Sequence, residues 1–96
     1  MPSRKEYKDF ILEQLSLSGD ITFKPMMGEY LLYKNGVLFG GVYDDRLLIK
    51  ITKNNAKFGF EKAVPYDGAK SMYLVDDLEN KEKLAELVND TYKDLI

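Results

Sequence analysis

Three stretches of this sequence carry side chains dense enough to do chemistry: Asp44-Asp45-Arg46, Tyr66-Asp67-Gly68 and Asp76-Asp77. Two neighbouring carboxylates could hold a divalent cation or share a proton as an acid–base couple. Adjacent residues of an extended chain, however, point their side chains apart, and no third ligand stands at a suitable spacing. None of the stretches matches a calcium loop, and there is no phosphate-cradling Gly-x-x-x-x-Gly-Lys. Local structure explains each one more simply. Aspartate tolerates turn geometry and bonds nearby amides, so Asp44-Asp45 reads as the tip of a hairpin and Asp67-Gly68 as a turn. Asp76-Asp77 precedes a helical pattern, where a carboxylate can cap free N–H groups and meet the positive end of the dipole.

The residue inventory narrows the chemistry further. The chain has 0 cysteines and 0 histidines. Disulfides, thiolate zinc sites, cysteine nucleophiles, Ser-His triads and imidazole metal sites are thereby excluded. Carboxylate, lysine and tyrosine chemistry remains. No catalytic residue, metal ligand or cofactor is expected. The alternative is a ligand-binding or enzymatic pocket between the sheet and residues 65–70, built from Glu29, Tyr66, Asp67 and Lys70.

These residues must be positioned by one small domain, residues 1–96. Ser3 and Glu6 have the spacing of a capping box, and Tyr7, Phe10, Ile11 and Leu15 follow with helical periodicity. Ser18-Gly19 is expected to end this helix. Residues 21–27 read as a strand with Pro25 marking an edge or bulge, and Gly28 as a kink. Residues 29–34 and 37–43 flank Asn35-Gly36, a strong hairpin signal. Residues 46–51 and 71–75 are further strands. Residues 53–60 are at best a short helix, interrupted by Gly59. Leu84, Leu87, Val88, Thr91, Tyr92 and Leu95 define a C-terminal helix. The expected fold is α+β: an N-terminal helix, an antiparallel sheet of about five strands, a short middle helix and a C-terminal helix.

Two-residue turns at Asn35-Gly36 and Asp44-Asp45 imply a register. Tyr33 lies opposite Leu38, Leu32 opposite Phe39, Leu31 opposite Gly40 and Tyr30 opposite Gly41, then Val42 opposite Leu47, Gly41 opposite Leu48 and Gly40 opposite Ile49. Alternation then separates two faces. One collects Leu31, Tyr33, Leu38, Val42, Leu47, Ile49 and Ile51, the expected floor beneath the two long helices. The other collects Tyr30, Leu32, Phe39, Tyr43, Arg46, Leu48 and Lys50. This second face has two readings: it is covered by the middle helix and the loop at residues 65–70, or it is a partner-binding surface. Gly40-Gly41 is explained by Tyr30 and its neighbours packing across the strand.

Composition sets the class of partner. The apolar share of 45% with 31% charged residues is that of an ordinary globular domain. A net charge of −2 supplies no basic field for gripping a phosphate backbone. Direct nucleic-acid binding is therefore not expected, although aromatics flanked by cations could stack single-stranded bases. The charged opening, Met1-Pro2-Ser3-Arg4-Lys5-Glu6, is unlike a signal peptide, and no apolar run reaches the ~20 residues of a membrane span. A cytoplasmic location is expected.

The stretch "KPMMGEYLLYKNGVLFGGVYDDRLLIK", residues 24 to 50, resembles the N-terminal domain of the TfoX (Sxy) competence regulators. "VPYDGAKSMYLVDDLENKEKLAELV", residues 64 to 88, is similar to the same family, including its Tyr-x-Gly-Ala-Lys turn, and so is the opening "KEYKDFILEQL". The resemblance implies an α+β fold like that of small secretion chaperones and brings no catalytic residues. Regulators bearing this domain act in transformation competence, with the cyclic-AMP receptor protein as a coactivating partner in some bacteria. They also carry a C-terminal helical domain that this chain lacks, so a stand-alone domain is expected. The combined expectation is a non-enzymatic regulatory or protein-interaction module. Its partner would be a protein, with the transcription machinery as one candidate, and it could pair with a second copy through the second face or an edge strand.

Overall fold

The computed structural model describes residues 2–96. Two helices, α1 (Lys5–Gln14) and α2 (Lys81–Leu95), enclose the strands β1 (Ile21–Met26), β2 (Glu29–Lys34), β3 (Val37–Val42), β4 (Leu47–Ile49), β5 (Lys62–Ala63) and β6 (Met72–Val75) in sequence. The strands form one antiparallel sheet in the order β1-β2-β3-β4-β6-β5. The α+β class is as expected. The sixth strand, β5, is two residues long and carries too little pattern to be read from sequence.

Tight turns set the first four strands side by side. Asn35 and Gly36 have φ of 49° and 79°, and Asp44 and Asp45 both have 53°. Positive φ at both central residues is the type I′ geometry whose twist suits a two-residue hairpin. Tyr43 and Arg46 exchange backbone hydrogen bonds at 2.9 and 3.1 Å around the aspartates, so Asp44-Asp45 is a hairpin tip. A third such turn stands at Met27-Gly28, with φ of 50° and 85°, between Met26 and its partner Glu29. Gly28 is thus the second central residue of a turn rather than a kink within a strand.

The β2–β3 register departs from the simple hairpin at one place. Tyr33 pairs with Leu38 as expected, but Leu32 pairs with Gly40, Leu31 with Gly41 and Tyr30 with Val42, the shift falling between Leu32 and Tyr33. Phe39 is the extra residue of a β-bulge. A bulge moves every residue beyond it by one position, and a one-residue shift exchanges faces. Leu32 and Phe39, expected on the partner-binding face, are therefore buried beneath the helices, both at 0% exposure. Leu31, Tyr33 and Leu38, expected in the floor, are half-buried on the other side. Beyond the bulge the β3–β4 register is Val42 with Leu47, Gly41 with Leu48 and Gly40 with Ile49, as read from sequence.

One core cluster joins Ile11 and Leu15 of α1, Leu84, Leu87 and Val88 of α2, and Leu32, Phe39, Val42, Leu47, Ile49 and Val75 of the sheet. Both helices thus bury their apolar stripes against the same sheet face, and burying such side chains stabilises the fold by about 1.5–3 kcal/mol each. Tyr30 belongs to this side as well. Its ring meets Phe23 edge-on, and the buried Lys8 places its ammonium 4.2 Å from the Phe23 ring and 5.4 Å from the Tyr30 ring. The ammonium is also bound by Asp9 at 2.6 Å, which gives the half-enclosed charge partners on both sides.

The chain between β4 and β5 is anchored from inside. Asn55, wholly buried, donates to the Lys50 carbonyl and to Thr91 Oγ1, both at 2.8 Å, and accepts from the Thr52 amide at 2.9 Å. Thr91 in turn donates to the Leu87 carbonyl. Next to this anchor the expected middle helix is a single 3-10 turn, Ala56–Phe58, ended by Gly59 at φ 72°. Helix boundaries differ from expectation through tertiary competition. The α1 cap position is Arg4 without a side-chain cap, because Ser3 is engaged elsewhere, and α1 closes at Leu15 before Ser18-Gly19. Asn80 rather than Asp76-Asp77 caps α2, accepting from the Lys83 amide at 3.0 Å.

Candidate functional site

The sheet face away from the helices is roofed in part by residues 64–71. Arg46 ties this loop down. Its Nε donates to the Tyr43 carbonyl at 3.1 Å, and its Nη2 reaches the carbonyls of Val64 and Pro65 at 3.3 and 3.5 Å. Pro65 is buried beneath the loop, and Ala69 donates to the Tyr66 carbonyl to close a turn containing Gly68 at φ 86°. Between loop and sheet lies a cleft of about 600 Å3, lined by Leu38, Gly40, Tyr43, Lys50, Ile51 and Met72 of the sheet and its flanks and by Pro65, Tyr66, Ala69, Lys70 and Ser71 of the loop. That volume is in the range of ligand pockets, roughly 300–1,000 Å3.

The lining is aromatic and aliphatic, with two amines, two phenols and one hydroxyl, and includes no carboxylate. Tyr43 and Tyr66 hold their rings 6.3 Å apart with planes at 54°. Tyr43 is only 6% exposed, and its ring lies over Gly41: a Cβ there would come within 2.6 Å of a Tyr43 ring carbon and 2.7 Å of the Tyr30 carbonyl oxygen. Gly41 is thus the bare spot that lets the ring lie flat and face the cleft. Burial raises the Tyr43 phenol above its ordinary value, with Tyr66, Glu29 and Tyr33 adding to the effect, so the group is a neutral hydrogen-bond donor at physiological pH.

The residues singled out from sequence separate into three places. Tyr43 and Lys50 line the cleft, Arg46 pins its roof, and Leu48 is buried beside them on the same face. Leu32, Phe39 and Tyr30 stand on the helix side, moved there by the bulge. Of the alternative pocket set, Tyr66 and Lys70 line the cleft, whereas Asp67 does not and Glu29 is engaged at the amino-terminal end of α1. Leu38, Ile51, Ser71 and Met72 were not read as site residues; the short alternating run Ser71 to Val75 was the available signal for the last two.

The carboxylates of Glu29 and Asp45 have a structural task. Glu29 Oε1 accepts from the Ser3 amide at 2.9 Å and the Ser3 hydroxyl at 2.7 Å, and both carboxylate oxygens accept from the Asp44 amide at 3.2 Å. Asp45 accepts from the Arg4 amide at 2.9 Å and Arg4 Nε at 2.8 Å. The hairpin tip thereby supplies, from another part of the chain, the carboxylate that the first turn of α1 needs. The Arg4 amide, followed by its side chain, holds the Asp45 carboxyl below the usual carboxylate range. Among the described residues no group of three or more Asp or Glu is arranged to hold a metal ion.

The model of the TfoX N-terminal domain matches residues 13–95. The chain belongs to the TfoX N-terminal domain family. A relative from Spirochaeta aurantia, described as an uncharacterized 12.7 kDa protein in the trpE 5′ region, is 30% identical over 80 residues, covering 81% of this chain and 70% of the relative. The TfoX N-terminal domain match takes in the whole sheet, both walls of the cleft and α2. Among the described residues, no helix is long and apolar enough to cross a membrane.

Proposed function

We propose that this TfoX N-terminal domain is a non-enzymatic binding module, regulatory in role, that captures a protein partner on the loop-roofed face of its sheet. One observation carries the reading: this face holds a cleft of about 600 Å3 with an aromatic and aliphatic lining. Such a lining suits an anchor side chain, because burial of aromatic and aliphatic groups in a pocket supplies most of the energy of protein recognition. The lining holds phenols and amines that can donate hydrogen bonds to a partner's side chain.

The test places a photo-crosslinking residue at Tyr66, which is 59% exposed at the rim. A control carries it at Asn89, exposed on α2 on the opposite side of the sheet. Irradiation in the host is expected to give a discrete adduct from position 66 and none from position 89, and Lys70→Glu is expected to abolish it. An adduct with a second copy of the chain identifies a homodimer as the partner. Equal adducts from both positions, or none from position 66, remove the proposal.

A further inference from the structure

We propose that the cleft binds a small anionic ligand, a carboxylate or phosphate carried on a flat apolar body, in the space where the protein partner inserts its anchor. The inference rests on reading this face as the binding face, and its test needs no protein partner.

Charge supports the anionic head group. The chain as a whole has more acidic than basic residues, 16 against 14. The cleft inverts that balance with Lys50 and Lys70 and no carboxylate. Neither cleft lysine has a carboxylate within 4.0 Å among the described residues. Two amines in one cleft lining without a carboxylate bias its potential to positive, which an anion relieves. Tyr43 adds a phenol to the same lining. Tyr43 is 6% exposed as a residue, and its hydroxyl keeps access to solvent at the edge of the cleft. A phenol and two amines in one lining are donors from which a carboxylate or phosphate oxygen can accept.

Shape supports the apolar body. The Tyr43 and Tyr66 rings open toward each other at 54° with 6.3 Å between centres, and Met72 adds a polarizable thioether at the edge. At that spacing the two rings touch each other, so a flat apolar body would lie against the pair rather than between its rings.

Three probes of one shape separate these elements: 1-naphthoate, 1-naphthyl phosphate and the neutral 1-naphthamide, titrated calorimetrically into the purified chain. At least one anionic probe is expected to bind with one site per chain and about tenfold or more tighter than the amide, a difference of about 1.4 kcal/mol. Which anion prevails tells a carboxylate from a phosphate ligand. Lys50→Gln with Lys70→Gln should erase the preference for charge. Tyr43→Phe should weaken the anions and leave the amide unchanged. Tyr66→Ala should weaken all three. Equal binding of amide and anions, a preference that survives loss of both lysines, or no binding at millimolar probe overturns the inference. If the probes fail while crosslinking from Tyr66 succeeds, the face still takes a protein and only the anionic ligand is lost. If the probes bind and crosslinking fails, the protein-partner reading is lost.

Discussion

Phe39→Ala tests the bulge that decides which residues this protein keeps inside. Phe39 is wholly buried among Leu32, Val42 and the apolar stripes of α1 and α2. A buried phenylalanine covers roughly 150–250 Å2, which at about 25 cal/mol per Å2 is worth about 4–6 kcal/mol as an upper figure. Phenylalanine-to-alanine truncations in cores cost about 3–5 kcal/mol. We expect a loss of about 4 kcal/mol. A chain of this length is stable by roughly 5–14 kcal/mol, so the variant keeps its fold with a much reduced margin. At roughly 4–8 °C per kcal/mol, Tm should fall by about 20 °C. Leu38, half-buried on the other face, is the internal comparison. Leu38→Ala should cost about 1 kcal/mol, since its removal opens no closed cavity. Urea unfolding of both variants, followed by circular dichroism, gives the two numbers side by side. An unbulged hairpin would put Leu38 in the floor and Phe39 on the far face, reversing the order. A Leu38→Ala loss equal to or greater than that of Phe39→Ala would refute the register given above.

Three further outcomes follow from the same structure. Asn55→Ala strips hydrogen bonds from the Thr52 amide and the Lys50 carbonyl within a buried setting, and should cost about 2–4 kcal/mol in urea unfolding. Gly41→Ala forces a Cβ against the Tyr30 carbonyl and the Tyr43 ring; it should destabilise by about 1–3 kcal/mol and, in an aromatic proton spectrum, shift the Tyr43 ring resonances. The Asp45 carboxyl is held low in the folded state by Arg4, so its contribution is present above the unfolded carboxylate value, roughly pH 4, and is lost as pH falls through the folded value. Asp45→Asn should therefore be less stable than the parent at neutral pH, with the difference shrinking in acid; an unchanged difference across that range would detach Asp45 from the clasp on α1.

Much of this fold was legible in the chain because its signals are local. Asn35-Gly36 demands positive φ, and few other residue pairs accept it, so the β2–β3 turn could be named. Asp44-Asp45 was read as a hairpin tip rather than a reaction centre for the same reason. The spacing of Leu84, Leu87, Val88 and Thr91 marks the buried stripe of α2, and the family could be recognised from motifs spread along the chain. The clasp at Ser3 was not legible. A serine three residues before a glutamate has a local partner in hand, and only the fold brings Glu29 and Asp45 close enough to compete for it. Nor could Asp76-Asp77 be separated from Asn80 as the cap of α2 until the backbone angles at the helix start were known.

Turn chemistry, helix stripes and residue inventory are properties of neighbours in sequence, and the amino-acid order alone determined them: an α+β domain, hairpins at two named places, and no cysteine or histidine chemistry. Which side of the sheet each residue faces was decided only by tertiary packing. Alternation carries no record of an extra residue, and Phe39 finds its lowest energy by bulging inward beneath two helices that lie far away in sequence. That single displacement turned Leu32 and Phe39 into core, and left Tyr43, Lys50, Tyr66 and Lys70, drawn from three separated segments, around one cleft.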